Sequence, residues 1–171
     1  MNSFFSTKPV LKFGLISGFL IVLNQLIIYA VTGNNPYLGE QTSIFSALGL
    51  LIPVAVIVFA IIYLSKHSSF ESFGHVIKPG LVIGFLTAFV YIVYSLLFIY
   101  NIEPDTLAKF EEMNRERLIA SGTIDKEEDL KNAIQLANNA FIPGTILFSL
   151  AVNLFIGFLT AVITAIFVRN K

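Results

Sequence analysis

Cysteine is missing from the chain altogether, which excludes disulfides, zinc–thiolate sites and thiol nucleophiles together. Charge is nearly as scarce: 13% of the residues are charged, where a soluble domain carries about a quarter. That is too little charge to cover a water-facing surface, so lipid is the expected solvent for most of the chain. The net charge is zero and no basic run occurs, which leaves nucleic acid without an electrostatic footprint. No nucleophile elbow and no glycine-rich phosphate cradle accompany the serines, histidines and acids. Neither an enzyme nor a cofactor is expected. The N-terminal apolar run has no small-residue cleavage site after it and reads as a retained span, not a signal peptide.

Hydrocarbon is what the chain has in excess, with 56% hydrophobic residues and a mean hydropathy of +0.79. Four apolar segments, about 10–32, 44–64, 80–102 and 142–168, are each long enough to cross a core of about 30 Å. A backbone in lipid must satisfy its own hydrogen bonds, so these spans are helices. The expected fold is an all-α integral membrane protein, one membrane domain over 1–171 with four transmembrane helices.

One long hydrophilic stretch, 103–141, interrupts this pattern and holds nine of the eleven acidic residues. It reads as a helical hairpin. Pro104 opens the first helix and Gly122 follows its end; Asp125 with Glu128 starts the second in a capping-box arrangement. Leu130, Ile134, Ala137 and Phe141 recur at spacings of three and four and form one apolar face, a candidate surface for a membrane protein partner or a second copy. Lys8, Lys12, Lys66, Lys78, Arg169 and Lys171 flank the spans, while the short 33–43 connection has no basic residue. The positive-inside rule therefore places both termini and the 65–79 loop in the cytoplasm and the hairpin outside. Within that loop, Phe70, Phe73 and Ile77 share one arc, with His67, Glu71, His75 and Lys78 on another. This predicts a short interfacial helix over 66–78, ended by Pro79 as the first turn of the third span.

Polar residues inside the spans are the remaining candidates. Gln25 on the first span, Thr87, Tyr91, Tyr94 and Ser95 on the third, and Asn153 on the fourth lie on faces shared with small residues. Such faces let helices pack closely and hydrogen-bond; the alternative is a lined polar path. No ionisable residue lies deep in a span, which counts against proton relays and ion-coupled carriers. His67, Glu71 and His75 do not make a metal site, because the two histidines stand about 12 Å apart along a helix. Lys12–Leu20 matches Lys78–Leu86 at six of nine positions, a possible parallel two-helix repeat.

The string Ser72-Phe-Gly-His-Val-Ile-Lys-Pro-Gly80, four spans, Glu103-Pro104 after the third and a basic C-terminal tail resemble the bacterial family called domain of unknown function 4199. Pro79 departs from that pattern. The resemblance covers essentially the whole chain and implies a multi-pass protein of the cytoplasmic membrane, with no activity or site residues attached. The expected role is structural or partner-binding, through the hairpin. The alternative is a small permease or channel subunit acting as an oligomer.

Overall fold

The computed structural model describes residues 7–39, 43–67, 73–122 and 127–169, and every regular element among them is helical. Helices α1 (Thr7–Thr32), α2 (Ser43–His67), α3 (Phe73–Leu97), α4 (Thr106–Ser121) and α5 (Glu127–Arg169) follow in order. A short π-helix, Phe98–Ile102, extends α3. Four of the helices, all but α4, are long and apolar enough to cross a membrane, which makes this a multi-pass membrane protein.

Neighbour relations fix the bundle. Helix α3 packs on α1 and on α5, α2 packs on the same two, and α2–α3 forms the short diagonal. Gly14 faces Leu86 and Gly18 faces Val90, so α1 and α3 run parallel. Gly80 faces Ala161 and Gly84 faces Asn153, so α3 and α5 run antiparallel. The starts of α1 and α3 and the ends of α2 and α5 thus meet at one end, here called the terminal end. The 33–39 loop, α4 and the start of α5 gather at the other, the hairpin end.

Backbones approach most closely between α3 and α5. A Cβ on Gly80 would lie 2.6 Å from the Gly157 carbonyl oxygen, and one on Gly84 would lie 2.5 Å from that of Asn153. Lipid gives helices no hydrophobic reason to associate, so close packing across small residues carries the adhesion. Val10, Ile57, Ala60, Ile61, Leu64, Val76, Ile83, Ala161 and Ala165 form the core of the terminal end, and none is more than 5% exposed. Outward-facing Phe19, Phe59, Phe155 and Phe167, all more than 60% exposed, belong to the lipid surface.

Two boundaries differ from the expected ones, each for a physical reason. Helix α3 begins at Phe73 and runs through Pro79, so residues 73–78 are its first turns and not a separate interfacial helix. Val76, on those turns, is buried in the core. The rung that Pro79 removes would have ended on the His75 carbonyl, close to the helix start, where few rungs are lost. Phe70, Glu71 and the side chains of His67 and Phe73 lie outside the described residues. Likewise the second hairpin helix and the fourth span are one helix. Helix α5 is about 64 Å long at 1.5 Å per residue, twice the hydrocarbon thickness, and carries Pro143 inside it. Asp125 lies outside the described residues. Helix α2 runs through Pro53 as its span 44–64 implied, and Pro53 is fully buried. Packed neighbours let a spanning helix tolerate such a gap.

Glycines at matching positions of the two similar strings meet different neighbours. Gly14 and Gly18 look at α3, whereas Gly80 and Gly84 look at α5. The sequence similarity is not expressed as symmetric packing.

Candidate functional site

Five of the six polar candidates, Gln25, Thr87, Tyr94, Ser95 and Asn153, are buried, and Tyr91 is half-buried. Several satisfy themselves on their own helix. The Thr87 hydroxyl donates to the Ile83 carbonyl (2.8 Å), Ser95 to Tyr91 (2.8 Å) and Thr164 to Thr160 (2.7 Å). Asn153, expected to reach another helix, instead donates from Nδ2 to the Ser149 carbonyl one turn back, at 2.9 Å. Its own carbonyl, not its amide, is what α3 meets. Back-bonding of this kind spends a polar group locally and leaves little to line a path.

Bonds between elements gather instead at the hairpin end. The 33–39 loop folds over the bundle mouth and is tied down twice. Tyr37 donates its hydroxyl to Ser95 Oγ on α3 (2.8 Å), and Asn35 Nδ2 donates to Thr106 Oγ1, the first residue of α4 (2.8 Å). Asn35 Oδ1 accepts the Tyr37 backbone N–H at 2.9 Å, so one side chain shapes the loop and anchors it. Thr106 in turn donates to the Glu103 carbonyl at 2.6 Å. Burial, then the neighbouring Tyr91 phenol, holds Tyr37 far above the ordinary phenol range, so it stays a neutral donor.

Beneath the loop, Phe98 is fully buried and gathers three rings: Tyr29 at 5.0 Å, Tyr37 at 5.5 Å and Tyr94 at 5.9 Å between centroids. The π-helix makes this possible. Its wide turn, closed by Glu103 N–H donating to the Phe98 carbonyl (2.8 Å), puts both Phe98 and Ile99 inside. Single π turns concentrate at functional places because they re-aim side chains at a cost in helix geometry. Lys109 pairs with Glu103 just beyond, and that bond raises the Lys109 pKa.

Helix α4 lies along the protruding part of α5. Gly122, with φ of 59°, ends α4 in the left-handed conformation that glycine adopts without strain. Phe110 packs on Phe141 with ring centroids 4.2 Å apart, and Asn138 Nδ2 donates to Glu111 Oε2 at 2.8 Å. All four residues of the expected apolar face, Leu130, Ile134, Ala137 and Phe141, are half-buried. Helix α4 therefore covers part of that face. Between the two helices an open cleft of about 700 Å³ remains, reached by Leu130, Ile134 and Asn138 and rimmed by Glu111, Arg115 and Lys131.

Sequence reasoning did not single out Phe98, Tyr37, Asn35 or Thr106. Phe98 had a signal, since it continues the Tyr91–Tyr94 face at a spacing of four. The loop ties had none, because their partners lie 58 and 71 residues away.

No curated protein and no solved structure matches the chain. A family model described as a protein of unknown function, DUF4199, matches residues 12–170. With nearly its whole length matched and four membrane-spanning helices in place, the chain belongs to the DUF4199 family.

Proposed function

We propose that this is a non-enzymatic membrane protein whose hairpin binds a partner, either a segment of another membrane protein or a second copy. The α4–α5 cleft carries the reading: Leu130 and Ile134 line it among the charged Glu111, Arg115, Glu127 and Lys131, and it is open to approach. Unsatisfied polar atoms support it. Among the described residues, buried side-chain atoms without a hydrogen-bond partner are Ser17 Oγ, Tyr94 OH, Glu103 Oε2, Asn114 Nδ2 and Asn138 Oδ1. Of these, Asn138 lines the cleft, and a buried polar atom without a partner is costly until something meets it.

The hairpin faces outward from a bacterial cytoplasmic membrane in this reading. Lys8, Lys12, Lys66 and Lys78 lie at the terminal end, and the 33–39 loop carries no cation. Reporter fusions after residues 38 and 122 are expected to read as external; a cytoplasmic signal from either reverses the assignment.

Ile134→Asp tests the cleft. Partner recovery or self-association should fall sharply while all four spans still insert, because insertion depends on the spans. Retention of every partner and oligomer would reduce the hairpin to a spacer. Solute flux through reconstituted oligomers would then favour the permease alternative.

A further inference from the structure

We propose that the groove between α2 and α5 at the terminal end binds one anionic phospholipid. This site is separate from the hairpin and rests on other residues. The groove encloses about 650 Å³, with Val58, Ile62, Phe167 and Val168 as apolar walls, Thr164 on its floor and Lys66 at its end. It opens toward lipid, since Ile62 is 41% and Phe167 70% exposed. Gly157 and Ala161 of α5 pack against α3, and the α5 residues that line the groove are the larger Thr164, Phe167 and Val168.

Hydroxyls at the polar end are already committed. Ser65 Oγ donates to the Ile62 carbonyl and Thr164 Oγ1 to Thr160, each on its own helix. Among the described residues that line the groove, the ammonium of Lys66, with three N–H donors, is the group left to meet a ligand. The ion pair among the described residues, Lys109–Glu103, lies at the opposite end of the molecule. Lys8, Lys12 and Lys78 stand at the same end as Lys66, and none of the described residues there is acidic. A basic site between spanning helices at the membrane surface selects an anionic head group, while the channel below takes an acyl chain.

Charge also decides among occupants. A zwitterionic lipid brings its own cation into this field of lysines. A second copy inserts with the same orientation, so seating it in the groove brings its own basic end beside Lys66. An anionic phospholipid supplies both missing parts: a phosphate without a compensating cation, and hydrocarbon.

Native mass spectrometry of the full chain in detergent tests this, with phosphatidylglycerol and phosphatidylcholine supplied at equal concentration. One phosphatidylglycerol is expected to be retained in preference. Lys66→Gln should weaken its retention about fivefold, the contribution of one cation at an anionic surface, and Lys66→Arg should restore it. Ile62→Trp, which fills the channel and leaves every charge in place, should also weaken it. Equal retention of the two lipids overturns the proposal. So does an equal loss in Lys66→Gln, Lys12→Gln and Lys78→Gln, which describes a diffuse charged surface. A dimer that Ile62→Trp abolishes would assign the groove to a second copy and overturn it too.

Discussion

The two ends of the bundle are held together by different means. At the terminal end, α3 and α5 meet backbone to backbone across Gly80, Gly84, Gly157 and Ala161. At the hairpin end, elements are joined by single side-chain bonds, Tyr37 to Ser95 and Asn35 to Thr106, laid over a plug of aromatic rings. Glycine packing has no intermediate state, because a carbonyl 2.5 Å from a would-be Cβ cannot yield to a larger residue. A hydrogen bond contributes only about 0.5–1.5 kcal/mol net and can be exchanged for another. The difference teaches which end is built to stay closed and which can rearrange at lower cost.

The largest expected effect breaks the rigid end. Gly84→Leu should cost about 3 kcal/mol or more, since the added carbons fall on the Asn153 backbone and not on a movable side chain. Loss of the folded fraction in detergent melts would show it. Tyr37→Phe should cost about 1 kcal/mol by releasing one bond of the hairpin end. Its pH dependence sharpens the contrast. Burial raises the Tyr37 pKa in the folded state, so the stability this neutral phenol supports is complete below the unfolded value of about 10 and declines as pH rises above it. Wild type should therefore lose more stability between pH 9 and 11, as the approximate limits of the titration, than Tyr37→Phe does. Asn153→Leu should cost less than about 1 kcal/mol, because the amide bonds its own helix. Smallest of all is Gly144→Ala. Nothing lies within 4 Å of a Cβ there, so the variant should be neutral or stabilising by up to about 1 kcal/mol in thermal melts.

The spans could be read from the sequence because about 20 consecutive apolar residues without an ionisable group have one physical explanation. The glycine and alanine faces were equally visible, since Gly80/Gly84 and Gly157/Ala161 repeat every four residues. Pro79, read as the first turn of the third span, lies within a continuous helix, and Pro143 likewise lies inside α5. Asn153 was recognisably buried, but whether its amide turns outward or back depends on a rotamer that spacing does not encode. The widest gap was the hairpin end. The turn at Phe98–Ile102 differs from an α-helix by one inserted residue, and the loop ties join residues with no local pattern between them. The apolar face from Leu130 to Phe141 was legible. The share of it covered by Phe110 depends on how α4 folds back.

Segment-resolved hydrogen exchange on wild type and Tyr37→Phe tests the contrast between the ends most directly. The account predicts that the variant speeds exchange about fivefold in 33–39 and 98–110, equivalent to one hydrogen bond of about 1 kcal/mol, and leaves 80–90 and 153–165 unchanged. Acceleration of all four segments together would mean that the bundle opens as a single unit and would contradict it.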